Sequence, residues 1–134
     1  AIHPGKLVQP QTPEAVRQHF RLLREGLLSW MAGRSAPTGM PSHADFVAGV
    51  ADALAQARVH AEGDVLIVSS GGPISAAVGL VLGLAPQAVV DLNMRIRNSA
   101  ITEFHASPKR HALQTFNTLP HLDAPELASW VTYA

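Results

Sequence analysis

The sequence predicts an α/β fold, on three observations. Val16, Phe20, Leu23, Leu27, Trp30 and Met31 recur at steps of three and four, the period of an amphipathic helix. Residues 65–69 (VLIVS) run apolar with no polar alternation, the pattern of a strand covered on both faces. After residue 98 the helical period gives way to two short segments separated by Ser107, Pro108 and Lys109, which reads as an antiparallel hairpin. Helix, helix, strand, helix and hairpin place helices against a central sheet.

Each element has a local reason. Thr12 can cap the first helix, Pro13 loses nothing at its first position, and Glu14 suits the positive end of the helix dipole. Gly33 supplies the stop, and residues 34–41 (RSAPTGMP) form a loop. Ser42 with Asp45 resembles a capping box, shorter than the usual Glu form. Phe46, Val47, Val50, Leu54 and Ala57 then follow as a second helix ending near His60 or Gly63. A third helix is expected over 73–82, closed by Gly83, and a short fourth over 86–92. The strands of the hairpin are expected over 99–106 and 111–116, and the tail is expected to be loop with one short helical turn. Phe20, Trp30 and Phe46 are expected in the core.

Composition excludes several classes. The chain has 134 residues, 47% of them hydrophobic, and no net formal charge, which fits one globular domain over residues 1–134. With ten Lys and Arg balanced by ten Asp and Glu, nothing favours a nucleic acid partner. The absence of cysteine removes disulfides and thiolate metal sites. The longest apolar run, residues 74–85, contains two glycines and is too short to span a bilayer. No signal peptide pattern is present, and a soluble, cytoplasmic protein is expected. His3, His19, His43 and His60 show no metal-ligand spacing, so no metal and no cofactor is expected. The opening AIHPGKLVQP reads like the middle of a domain, and an upstream portion carrying one or more strands is expected.

The chemistry-bearing feature is the corner after the apolar run, Ser69-Ser70-Gly71-Gly72-Pro73. In open α/β sheets a ligand lies beyond the carboxyl end of a strand, where the strand turns into a helix. Gly71 and Gly72 let the backbone approach a ligand, Pro73 presets the helical turn, and free N–H groups there attract an anion. The spacing is neither a dinucleotide fingerprint nor a P-loop. It also fails the nucleophile elbow, because Ile67 and Val68 stand where that motif wants glycine.

The order VLIVSSGGPISAAVGLVLGL, RIRNSAITEFH, LQTFNTLPHL resembles the C-terminal half of the histidine phosphatase superfamily, the phosphoglycerate-mutase-like proteins. In that family a strand ends in Val-Ser/Thr-His-Gly-Gly, a later strand opens with Asn-x-Ser/Thr-Ile-Thr, and Asn-x-x-x-His-Leu follows near the end. Asn98, Ser99, Ile101 and Thr102 align with the second pattern, Ser99 at its variable position, and Asn117, His121 and Leu122 with the third. The resemblance covers about residues 42–122. It implies a three-layer fold with a mostly parallel sheet and a C-terminal antiparallel hairpin. It also implies a phosphomonoester substrate and phosphoryl transfer through a histidine in an Arg-His-Gly motif.

Two departures count. No Arg-His-Gly occurs; Arg110-His111 is followed by Ala112 in the late hairpin. The second family histidine falls on Ser70, whose hydroxyl can donate one hydrogen bond but brings no imidazolium charge to a phosphoryl-transfer transition state. Losing one oriented donor costs about 3 kcal/mol. The nucleophilic histidine is therefore expected outside this chain, leaving Ser70, Gly71, Gly72, Arg95 and Asn98 as phosphate contacts.

Each has a plainer reading. Ser70 can be a capping hydroxyl, and no base stands beside it in sequence to make it a nucleophile. Arg95 and Arg97 can be solvated side chains with their stems on apolar surface. Asn98 can tie down a turn, and His121 can hold the C-terminal loop. Two functions remain: a histidine phosphatase or phosphomutase acting on a small phosphorylated metabolite, with this chain inactive by itself, or an anion-binding or structural module of the same fold. A third, weaker reading is an unrelated phosphosugar-binding domain. A central strand lacking its neighbour also predicts self-association or association with an N-terminal piece.

Overall fold

A computed structural model describes residues 10–60, 62–107 and 109–133, with the side chain of His60 excepted. His3, Pro108 and the side chain of His60 thus lie outside the described residues. The chain divides between Asp45 and Phe46 into two compact units.

The first unit is dominated by α1 (Pro13–Met31). Thr12 is its cap in extended backbone, and its hydroxyl accepts from the Ala15 N–H at 3.2 Å. Glu14 and Arg17 form an exposed ion pair at 2.7 Å, which contributes little in water. The chain turns away at Gly33, whose φ of 67° suits a residue without Cβ. The loop that follows is pinned by Trp30, whose indole N–H donates to the Pro41 carbonyl at 3.2 Å. Trp30 also meets the His43 ring edge to face at 5.0 Å. Phe20 remains 42% exposed and α1 buries no residue fully, so the expected core role of Phe20 is not seen.

A second helix, α2 (His43–His60), opens on the predicted box. The Asp45 N–H donates to Ser42 Oγ at 3.1 Å, while the Ser42 hydroxyl donates to the Asp45 carboxylate at 2.6 Å. The short Asp side chain thus meets the serine hydroxyl itself. Farther along α2, Arg58 donates to the Ser107 carbonyl at 2.8 Å, holding the tip of the hairpin.

The second unit is built around α3 (Gly71–Leu82) and α4 (Pro86–Asn93). Helix α3 begins two residues earlier than the proline suggested, because a proline without an N–H is tolerated throughout the first turn. It ends at Gly83 in the left-handed region, φ 65°. A Cβ on Gly79 would stand 2.6 Å from Val89 Cγ2, so the missing side chain is what lets α3 and α4 approach closely. The buried set among the described residues is Ser75, Ala76, Ala77, Val78 and Gly79 on α3, Val90 on α4, and Ile96 and Leu119 beyond. Ser75 satisfies its hydroxyl by donating to the Gly72 carbonyl at 2.9 Å.

The hairpin pairs β1 (Ile101–Ala106) with β2 (His111–Thr118) antiparallel, from Ile101 opposite Thr118 to Ala106 opposite His111. Register shifts between residues 101 and 104 bend the ladder. Ser107 and Arg110 close the turn through paired backbone bonds of 2.7 and 3.3 Å. The tail forms two 3-10 turns, Pro120–Leu122 and Pro125–Trp130, where one was expected.

One expectation is corrected. Among the described residues the only sheet is this two-stranded antiparallel one, and residues 65–69 join no ladder. Leu66 and Val68 are 88% and 89% exposed, and Val65 and Ile67 are both about half exposed. The mostly parallel sheet is therefore not formed among these residues. A strand exists only through bonds to a neighbour, and an apolar run states the need for one without supplying it.

Candidate functional site

The corner Ser70-Gly71-Gly72 is the entrance of α3. Ser70 is the cap residue, in extended backbone (φ −108°, ψ 173°), and its side chain makes no capping bond. Its carbonyl accepts the first helical bond, from the Ile74 N–H at 3.2 Å. Pro73 has no N–H to offer, which leaves Gly71 and Gly72 as the residues whose main-chain donors open the helix. Positive dipole, two amide donors and a free hydroxyl converge at one place, the arrangement that attracts an oxyanion.

Both glycines are closely approached. A Cβ at Gly71 would lie 2.8 Å from Asn93 Oδ1 and 3.8 Å from Ile96, and one at Gly72 would lie 3.9 Å from Phe46 Cζ. Asn93 at the end of α4, Ile96 in the segment after it and Phe46 of α2 thus stand beside the corner.

That segment, residues 94–100, is fixed by Asn117. Its side-chain carbonyl accepts from the Arg97 N–H at 2.8 Å, and its NH2 donates to the Arg95 carbonyl at 2.8 Å. The Arg97 guanidinium donates to the Asn117 main-chain carbonyl, and the Asn117 N–H donates to Thr102 Oγ1 at 3.3 Å. Asn117 takes φ 58°, a conformation that asparagine tolerates better than most residues. Ser99 also takes φ 58°, and its Oγ lies 3.0 Å from His121 Nε2. The Asn98-Ser99-Ala100-Ile101-Thr102 and Asn117-x-x-x-His121-Leu122 segments therefore meet at two points, Asn117 with Thr102 and Ser99 with His121.

The other expected phosphate contacts are placed differently. Arg95 is exposed and lines a cavity of about 440 Å³ with Val78, Leu82, Leu92, Leu113 and Phe116. None of the three corner residues lines that cavity. Asn98 donates from its main chain to the Thr132 carbonyl and from its side chain to Thr132 Oγ1, both at 2.9 Å, which ties it to the C-terminal tail. Arg97 is committed to Asn117. Sequence reasoning gave Asn117 no role beyond matching a pattern; its signal was an asparagine at the end of a strand, where a left-handed residue can sit.

Among the described residues no cluster of His, Asp and Glu could hold a metal ion. No helix is long and apolar enough to cross a membrane. Two histidines have lowered pKa values: His43 through burial, and His111 through burial and then the Arg58 charge. A base whose folded pKa lies below its unfolded value near 6.5 stabilises the fold fully above that value and progressively less as pH falls through the window beneath it. Chemical denaturation at pH 7.5 and 5.5 is expected to show lower stability at 5.5, and His111→Gln is expected to reduce that difference. An unchanged difference in the variant would remove His111 from the account.

Among the described residues the structure is mixed α/β, with four α-helices, a C-terminal hairpin and a glycine corner opening an apolar helix. The sequence model of the histidine phosphatase superfamily (branch 1) matches residues 2–119. The chain belongs to that superfamily. No curated protein and no solved structure matches it significantly.

Proposed function

We propose that Ser70, Gly71 and Gly72 bind the phosphoryl oxygens of a small phosphomonoester or of inorganic phosphate. The observation that carries this reading is the corner itself: an uncapped hydroxyl and two helix-opening amides in a chain of a phosphatase superfamily. Where a histidine is brought to this corner from outside the 134 residues, the reaction is phosphomonoester hydrolysis or phosphoryl transfer through that histidine. In that setting residues 65–69 become a strand of a larger, mostly parallel sheet in three layers. By itself the chain holds no Arg-His-Gly, so it binds the anion without turning it over. The second reading, an impaired anion-binding module, is favoured by the serine at position 70, which supplies a donor without a charge. Arg95 and Asn98 remain proposed contacts only through movement of their side chains toward the corner.

Isothermal titration with inorganic phosphate at pH 6 tests this. Ser70→His places an imidazolium at the corner, and a charge-assisted bond is roughly twice as strong as a neutral one. A gain of about 1.4 kcal/mol, or tenfold in affinity, is expected. The unmodified chain is expected to show no turnover of an aryl phosphate. Phosphate affinity indifferent to the residue at 70 would remove the corner from the site, and robust turnover would refute the need for an outside histidine.

A further inference from the structure

We infer that Asn117 is a positioning residue for the phosphate corner, an inference that rests on the reading just given. The side-chain amide of Asn117 grips the peptide groups on both sides of Ile96, accepting from the Arg97 N–H and donating to the Arg95 carbonyl, each at 2.8 Å. Ile96 is buried, and its side chain backs the corner at Gly71. Through Ile96, the placement of the Gly71 amide follows the Asn117 clamp.

The Asn117 amide both accepts and donates across that span. Alanine can do neither, and aspartate can accept from Arg97 but cannot donate to Arg95. The residue is held at φ 58° while its own N–H and carbonyl bond Thr102 and the Arg97 guanidinium. The clamp therefore grows out of a backbone bonded at both its N–H and its carbonyl, as a precise support for a binding group requires. A residue retained only to end β2 would need the backbone bonds but not the two side-chain bonds.

The test compares Asn117→Gly and Asn117→Asp with the unmodified full chain. Glycine accepts the positive φ and deletes both side-chain bonds, which separates the clamp from backbone strain. Two-dimensional amide NMR follows the Gly71 and Gly72 resonances, first without ligand and then in a titration with inorganic phosphate, well below the melting temperature. Asn117→Gly is expected to shift or broaden Gly71 and Gly72 and to weaken phosphate binding about tenfold, with Asn117→Asp intermediate. Unmoved Gly71 and Gly72 resonances in a folded variant overturn the positioning role, as does unchanged phosphate affinity. If the unmodified chain binds no phosphate, the functional reading fails, and the ligand-free shifts still decide whether Asn117 sets the corner. Should the glycine variant not fold, the nearly isosteric aspartate variant decides by the same two readouts.

Discussion

Val90→Asp is expected to unfold the unit that begins at Phe46 at pH 7. Val90 is 2% exposed on α4, where a carboxylate would find no water. Burial raises a carboxyl pKa by about 3–5 units, and each unit is about 1.4 kcal/mol, so at pH 7, about three units above the unfolded value, the charge costs about 4 kcal/mol in addition to the packing that Val90 loses. Small domains hold about 5–15 kcal/mol in total, and this one fully buries few large side chains. The sign with pH follows from the raised folded pKa. The cost is full above that value, shrinks as pH falls through it, and vanishes below the unfolded value near 4. Circular dichroism melts at pH 7 and pH 4 check this, with Val90→Ala as the uncharged control, expected to lose about 2–3 kcal/mol through the cavity it leaves. A cooperative melt of the aspartate variant at pH 7 within about 1 kcal/mol of the unmodified chain would mean that α4 does not pack as described.

Light scattering of the unmodified chain is expected to give a mass that rises with concentration, and Leu66→Lys with Val68→Lys is expected to restore the mass of a single chain. Leu66 and Val68 are almost wholly exposed, and residues 64–69 take no part in any backbone ladder among the described residues. A run of apolar side chains on a backbone with unpaired donors and acceptors is a template for pairing with another chain. Two lysines oppose that pairing by charge. They touch nothing buried, so denaturant stability should stay within about 0.5 kcal/mol. A single-chain mass at every concentration for the unmodified protein would refute the expectation, and so would association that survives both lysines.

The elements governed by near neighbours were legible in the sequence. Thr12 and Ser42 cap the helices they were assigned, Gly33 and Gly83 end theirs, and the turn after residue 106 forms the hairpin. Those features depend on residues three or four apart, whose bonds need no distant partner. The start of α3 was read two residues late because proline was given the first position, although any place in the opening turn suits it. Residues 65–69 could be read as demanding cover, but pairing is a property of two segments. Within the candidate site, the glycines were legible as a corner. Asn117 was not, because its bonds span about twenty residues and no local spacing encodes them.

Family membership, the caps and the turn chemistry thus came from the order of residues alone, since each rests on short-range spacing or on an ordered set of motifs. Which groups stand together was decided only by the tertiary structure. It put Asn93 and Ile96 against Gly71, gave Arg95 to an apolar cavity, and tied Asn98 to Thr132. The reason is physical: a helix or turn is chosen by energies between near neighbours, whereas the direction of an arginine is chosen by whatever surface its stem can cover.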